Sequence, residues 1–395
     1  GAPPGTAENP GIPAGDLDAL ARFAREQGVD LTVVGPEAPL VAGIADLFRE
    51  QGLAVFGPTA AGARIEGSKL FAKQLMERGG IPTAGYREFT CVRDALEHLE
   101  RGEPPFVIKA DGLAAGKGVS IVHSLEEGRE VLRRMLEERV FGDSGSRVVV
   151  EEHLAGEEAT VLALCDGEQV LPLISSQDHK PVFDGDQGPN TGGMGAISPA
   201  PVVTPEVMGK VVEQVLLPLV DELRNQGIEY RGVIYAGLMI SDGEPRVVEF
   251  NCRFGDPEAE AVLPLLESDL AEALYRTAAG SLQGLTLEWK RAWACDVVMA
   301  SGGYPGPYRR DLEISGLDTA EDEELLVYHA GTRREGDRVL TSGGRVLNVV
   351  GTGDTLRRAM DRAYRGVEDI RFQDAHYRRD IGFRGLRHLE KGSGR

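Results

Sequence analysis

The sequence predicts a multidomain chain of mixed α/β and α+β class, on three observations. Helix-then-strand patterns repeat over the first 57 residues, as in a doubly wound sheet. Apolar runs joined by Asp-Gly turns follow, as in antiparallel sheets, and strands preceding a helix close the chain after residue 292. These changes of pattern place the domains at 1–69, 70–285 and 286–395.

In the first domain, Leu17, Leu20, Phe23 and Ala24 recur at helical spacing over residues 17–26, and the apolar run Leu31-Thr-Val-Val-Gly35 reads as a buried strand. A second unit predicts a helix over 41–51 and a strand at Ala54-Val-Phe-Gly57. Such a sheet normally opens on a βα unit, so the pattern predicts that this first unit, about 30 residues, is lacking before Gly1. Thr59 is placed to cap a short helix, and Ser68 to cap a second that runs through Lys69 to the Gly79-Gly80 stop.

From Phe106 the pattern turns to β: Phe-Val-Ile-Lys109, a glycine-rich loop, Val119-Ser-Ile-Val122, a helix over 125–139, then Arg147-Val-Val-Val-Glu-Glu152. Asp166-Gly167 and Asp242-Gly243, each between apolar runs, predict two hairpins. The segment 175–201 has no periodicity and reads as a long functional loop. In the last domain Cys295-Asp-Val-Val-Met299 and Arg345-Val-Leu-Asn-Val-Val350 read as strands, followed by a helix over 354–367.

At 395 residues and 42% hydrophobic content the chain has material for several cores. Its 63 acidic against 43 basic side chains, a formal charge of −20, repel nucleic acid and anionic membranes. Cys91, Cys165, Cys252 and Cys295 are scattered, without a CxxC pair, which fits a reducing cytoplasm. No apolar run reaches the roughly 20 residues that span a bilayer.

Four constellations are candidates for chemistry. In Lys109-Ala-Asp-Gly-Leu-Ala-Ala-Gly-Lys-Gly118 small residues allow backbone N–H groups to approach phosphate oxygens while Lys109 and Lys117 supply charge. It is not a Walker A loop, because Gly rather than Ser or Thr follows Lys117 and a strand follows the glycines. Its alternative is a hairpin with a loose tip. In Arg246-Val-Val-Glu-Phe-Asn-Cys-Arg253, strand alternation puts Glu249, Asn251 and Arg253 on one face and Val248, Phe250 and Cys252 on the other. A carboxylate and an amide oxygen so spaced suit a hard cation, and the arginine suits a transferring phosphoryl group. A half-exposed strand with ordinary polar residues is the competing reading.

In Ser175-Ser-Gln-Asp-His-Lys180 and Gly188-Pro-Asn-Thr-Gly-Gly-Met-Gly195, Asp178 can hold an ammonium, and Lys180 and Asn190 can engage anionic oxygens. An inert surface loop is the alternative, and His179, a lone loop histidine, reads as a solvated or hydrogen-bonded side chain. In Glu151-Glu-His-Leu154 and Gly156-Glu-Glu158, connector backbone can read an adenine edge and a carboxylate can bind ribose hydroxyls; a solvated acidic linker competes.

These pieces, in this order, resemble the ATP-grasp superfamily and within it the phosphoribosylamine–glycine ligase (glycinamide ribonucleotide synthetase) family. The resemblance is carried by Val34-Gly-Pro-Glu-Ala-Pro-Leu40, Phe56-Gly-Pro-Thr59, Glu66-Gly-Ser-Lys69, the Lys109 loop, Ser176-Gln-Asp-His-Lys180, the loop through Gly195, Glu249-Phe-Asn-Cys-Arg-Phe-Gly-Asp-Pro-Glu258 and His329-Ala-Gly-Thr332. It implies a pre-ATP-grasp domain over 1–69, an ATP-grasp domain over 70–285 with a mobile lid at about 90–153, and a C-terminal α+β domain. The implied reaction is ATP-dependent phosphorylation of glycine to glycyl phosphate, followed by attack of the 5-phosphoribosylamine amine, in the cytoplasm and by a monomer.

By the same resemblance Lys69 and Lys109 contact ATP phosphates, and Gly116, Lys117 and Gly118 close over them. Glu151 to Leu154 with Glu158 hold the nucleoside. Glu249 and Asn251 ligate Mg²⁺ or Mn²⁺, while Arg253 stabilises the transferring phosphoryl group. The family's opening Gly-Ser-Gly-Gly-Arg-Glu-His type turn, which helps bind the phosphoribosyl group, does not occur in this sequence, so Glu37 is the remaining substrate-binding candidate in that domain. Another ATP-grasp carboxylate–amine or carboxylating ligase, such as a biotin carboxylase or a different purine-pathway ligase, and a non-catalytic nucleotide-binding module are the readings set against this one.

Overall fold

A computed structural model describes residues 7–114, 118–317 and 324–392. Helix Leu17–Gln27 begins at Asp16, whose carboxylate accepts the Ala19 N–H at 3.0 Å, and ends on left-handed Gly28. Strands Thr32–Val33 and Val55–Phe56 pair in parallel. The helix expected over 41–51 spans Ile44–Glu50, and a separate short helix, Glu37–Val41, precedes it, parted from it by Gly43 at φ 92°. That conformation cannot continue a right-handed helix.

Thr59 and Ser68 cap helices Ala60–Gly67 and Lys69–Arg78. Ser68 donates its hydroxyl to Asp111 Oδ1 at 2.8 Å, and the Leu70 N–H reaches the same oxygen at 3.1 Å, which ties the start of the Lys69 helix to the loop after Lys109. The short cap thus fixes where Lys69 emerges.

Strands Tyr86–Phe89, Val148–Glu152, Phe106–Ala110 and Val119–Val122 form, in that spatial order, an antiparallel sheet. Helices Val92–Leu99 and Leu125–Leu132 cover it, with Ala95, Leu99, Ile108, Leu132 and Val150 in its core. The helix expected to run to 139 changes to a π turn at Arg133–Glu137. A second sheet carries Glu244–Asn251, Arg231–Ser241, Glu157–Asp166 and Val170–Pro172, with hairpins at both Asp-Gly turns.

The expected loop 175–201 holds four short strands: Gln177–Asp178, Pro181–Phe183, Gln187–Asn190 and Gly195–Ser198. Gly195–Ser198 pairs with Trp293–Ser301, so this segment extends the six-stranded sheet of the C-terminal domain. Its glycines and prolines hide a strand signal that tertiary pairing supplies. Helix Leu356–Asp369 packs on that sheet through Leu356, Ala359, Ala363 and Val367. Among the described residues no helix is long and apolar enough to cross a membrane, and all four cysteines are free.

The strand Glu244–Asn251 departs from strict alternation. Its pairing shifts between Gly237↔Glu249 and Leu238↔Val247, which leaves Val248 as the extra residue of a bulge. Val247, Phe250 and Cys252 therefore enter the core, while Val248 turns to the cleft beside Glu249 and Asn251. The expectation that Val248 shares the core face is thus overturned. Arg253 lies beyond the strand's last residue rather than on its pleat.

Candidate functional site

The two central sheets, the N-terminal domain and the C-terminal sheet enclose a cavity of about 760 Å³. Thirteen residues singled out in the sequence line it: Glu37, Lys69, Lys109, Gly118, Glu151, Leu154, Glu158, Asp178, Lys180, Asn190, Glu249, Asn251 and Arg253. Gly116 and Lys117 lie outside the described residues.

Two lysines approach the bulged strand from opposite elements. Lys69, at the start of its helix, donates to Glu249 Oε2 at 2.7 Å. Lys109, at 2% exposure, reaches Glu151 at 2.9 Å and donates to the Val248 carbonyl at 2.9 Å. An ammonium has three donors, so each lysine keeps at least one for an anionic ligand. Lys73, also 2% exposed, pairs with the same Glu151 at 3.0 Å and donates to Thr83 Oγ1 at 2.8 Å. Burial pulls the Lys73 amine down to about 8, against the upward pull of Glu151 and with added repulsion from Lys109. Glu151 therefore spends its carboxylate anchoring two lysines.

Burial would raise the Glu249 carboxyl, but Lys69, Lys180 and Lys109 outweigh it and hold the group far below the usual carboxylate range. Asn251, with its amide turned so that nitrogen donates to Glu66 Oε1 at 3.2 Å and to the Phe250 carbonyl at 3.3 Å, keeps its oxygen for another partner. An ionised carboxylate and a free amide oxygen side by side fit a hard divalent ion whose remaining ligands are phosphate and water. No trio of His, Cys, Asp or Glu arranged for a metal occurs among the described residues.

Arg253 lies 3.1 Å from Glu66 and 3.6 Å from Glu37, which joins the strand's end to the N-terminal domain. Across the cavity Lys180 pairs with Glu158 at 3.1 Å and with Asp178 at 3.9 Å. Burial lifts the Asp178 carboxyl to about 7, opposed by Lys180 and reinforced by Glu258 and Glu158. Asn190 stands exposed at the rim, on the short hairpin.

The sequence reading missed several cleft residues. Glu66 accepts the Cys252 N–H at 2.8 Å as well as the Arg253 pair. Tyr235 receives the Thr160 hydroxyl at 3.0 Å and donates to Glu258 Oε1 at 2.6 Å, which holds Glu258 beside Asp178. Glu66 and Glu258 stood inside quoted stretches but carried no role. Arg345, from the C-terminal sheet, donates to the Gly192 carbonyl at 2.9 Å and pairs with Asp256 at 3.0 Å; no local pattern flags it.

Residues 3–66, 67–259 and 294–384 match the phosphoribosylglycinamide synthetase N domain, ATP-grasp (A) domain and C domain. A phosphoribosylamine–glycine ligase of Ralstonia nicotianae is 50% identical over 377 residues, covering 95% of this chain and 89% of that one. One from Escherichia coli O157:H7 is 50% identical over 383 residues, 96% and 89% of the two chains. The crystal structure of a phosphoribosylamine–glycine ligase from Thermotoga maritima superposes with TM-score 0.76 at 38% identity, covering 83% of this chain and 81% of that one. The biotin carboxylase domain of Hydrogenobacter thermophilus 2-oxoglutarate carboxylase, bound to MgADP, ADP and bicarbonate, shares the fold at TM-score 0.73 and 18% identity, with 92% and 79% covered.

Proposed function

The chain belongs to the phosphoribosylglycinamide synthetase family, and from that membership we infer that its cleft carries out the ATP-dependent ligation of glycine to 5-phosphoribosylamine in purine biosynthesis. The products are glycinamide ribonucleotide, ADP and phosphate. One observation supports the site assignment above all: Lys69, Lys109, Glu249, Asn251, Asp178, Lys180 and Arg253 line one cavity.

In the first step a glycine carboxylate oxygen attacks the γ-phosphorus of ATP, the bond to ADP breaks and glycyl phosphate forms. Lys69 and Lys109 direct their remaining N–H donors at phosphate oxygens, and Arg253 neutralises the moving phosphoryl group. Glu249 and Asn251 are the residues that would hold Mg²⁺ or Mn²⁺, which supplies charge neutralisation and orientation of the phosphates. Asp178, with Glu258 behind it, takes the glycine ammonium, while Lys180 and Asn190 take carboxylate oxygens. In the second step the amine of phosphoribosylamine attacks the glycyl carbonyl, phosphate leaves and the amine loses a proton. Glu37 is the residue we place nearest that substrate.

The backbone of Glu151–Leu154 with Glu158 holds the nucleoside, and the 90–153 unit with the Gly116-Lys117-Gly118 loop closes as a lid that keeps water from the acyl phosphate. Domains at 1–69, 70–285 and 286–395 fit this division of labour. Free thiols and a charge of −20 favour a cytoplasmic monomer that binds no nucleic acid. ADP release requiring both glycine and phosphoribosylamine tests the reading; equal turnover with bicarbonate replacing glycine overturns it.

A further inference from the structure

Behind the cleft, the Glu258–Val262 helix packs on the C-terminal sheet through Ala261, with Ala196, Ala294 and Val350 beneath it. Asp296 lies on that same sheet face, opposite Ala196 and Val350. Asn348 lies on it too, opposite Val298 and Tyr328, because alternate residues of paired strands share a face. Asp296 is 0% and Asn348 2% exposed.

Both carboxylate oxygens of Asp296, Oε2 of Glu260 and Oδ1 of Asn348 are buried without a hydrogen-bond partner. Four buried acceptors with no donor are costly in a protein interior. The nearby charges make this worse: burial raises the Asp296 carboxyl well above its usual range, and Glu260, Asp256 and Glu258 push it further up. The opposing cation, Arg345, is committed to Asp256 and to the Asp256 and Gly192 carbonyls.

A proton on Asp296 supplies one donor and leaves the amide oxygen and another carboxylate oxygen unmatched. A cation held between these groups would take lone pairs from oxygens that have no donor. The donors are oxygen only, which selects a hard ion. Only two are carboxylates, and no metal-binding trio of His, Cys, Asp or Glu occurs among the described residues, which is too little charge for a tightly held divalent ion. Glu260 also lines the cleft, which gives an ion a path in.

We infer that Asp296, Glu260 and Asn348 form a site for one monovalent cation, K⁺ or Na⁺, between the Glu258–Val262 helix and the C-terminal sheet. The ion would tie the helix that presents Glu258 to the C-terminal domain. This site is separate from the phosphate half of the cleft and does not rest on the ligase reading.

The test is thermal unfolding of the full chain at constant ionic strength, with tetramethylammonium replaced stepwise by K⁺ in one series and by Na⁺ in another. Binding raises the midpoint by roughly 2 °C for each tenfold increase above the dissociation constant. The stronger series identifies the ion. Asp296→Asn should lose the response, and Asn348→Leu should weaken it; the second variant decides the matter if the first does not fold. A wild-type midpoint indifferent to both ions overturns the site in favour of a protonated carboxyl, and so does an undiminished response in the variants.

Discussion

Replacing Glu151 with Gln tests the network that positions the cleft lysines. Its carboxylate is shared by Lys73 at 3.0 Å and Lys109 at 2.9 Å, and both amines are buried. Lys73 titrates at about 8 in the folded protein against an ordinary 10.5, so the unfolded chain binds more protons between those values and stability rises with pH across that window. Without the Glu151 charge the Lys73 amine falls further, and the expected outcome is that it sheds its proton in the fold at pH 7. At pH 7 that loses the roughly one unit separating 8 from 7, about 1.4 kcal/mol. At pH 9 Lys73 is already neutral in the wild type, and this part of the cost nears zero. Lost hydrogen bonding to the two amines adds about 1–2 kcal/mol at any pH. Glu151→Gln should therefore destabilise by about 2.4–3.4 kcal/mol at pH 7 and by about 1.4 kcal/mol less at pH 9, read from urea unfolding curves at the two pH values. A cost that does not change with pH, or one under about 1 kcal/mol at pH 7, refutes the shared-carboxylate argument.

Arg253→Ala should lower kcat by about 100- to 1000-fold with little change in ATP affinity, since its charge matters most as the phosphoryl group moves; weakened ATP binding at unchanged turnover would place it in the ground state. Asp178→Asn should raise KM for glycine by about tenfold or more. In the wild type that KM should fall as pH rises through about 7, where Asp178 ionises, and the variant should lack the trend in initial-rate measurements. His179 is fully buried and held neutral, with burial pulling it from 6.5 to about 3. The unfolded chain takes up its proton first, so stability falls as pH drops below 6.5, by about 2 kcal/mol at pH 5 for this group. His179→Gln should remove that increment from the difference between denaturation curves at pH 7 and pH 5; an unchanged difference would show that another group governs acid sensitivity.

The helix caps at Thr59 and Ser68 were legible because a cap is a contact between residues three apart. Both Asp-Gly hairpins were legible because the left-handed turn is set by the two residues that make it. The strands hidden in 175–201 were not, since Gly195–Ser198 becomes a strand by pairing with residues about a hundred positions away. Nor was the bulge at Val248, whose cause lies in the register of the partner strand Arg231–Ser241.

What the sequence determined alone was the type and order of many of the charged and amide side chains that line the cleft, though not that Glu66, Tyr235, Glu258 and Arg345 join them. Residue type carries charge and donor count, and these survive any fold. What the tertiary structure decided was their pairing. Glu151 became the shared anchor of Lys73 and Lys109, Glu66 became the partner of Arg253 and the Cys252 amide, and Asp296 and Asn348 were buried on one face of the C-terminal sheet. Such meetings depend on which elements pack together, and burial, which sets the strength of every charge involved, exists only once they have.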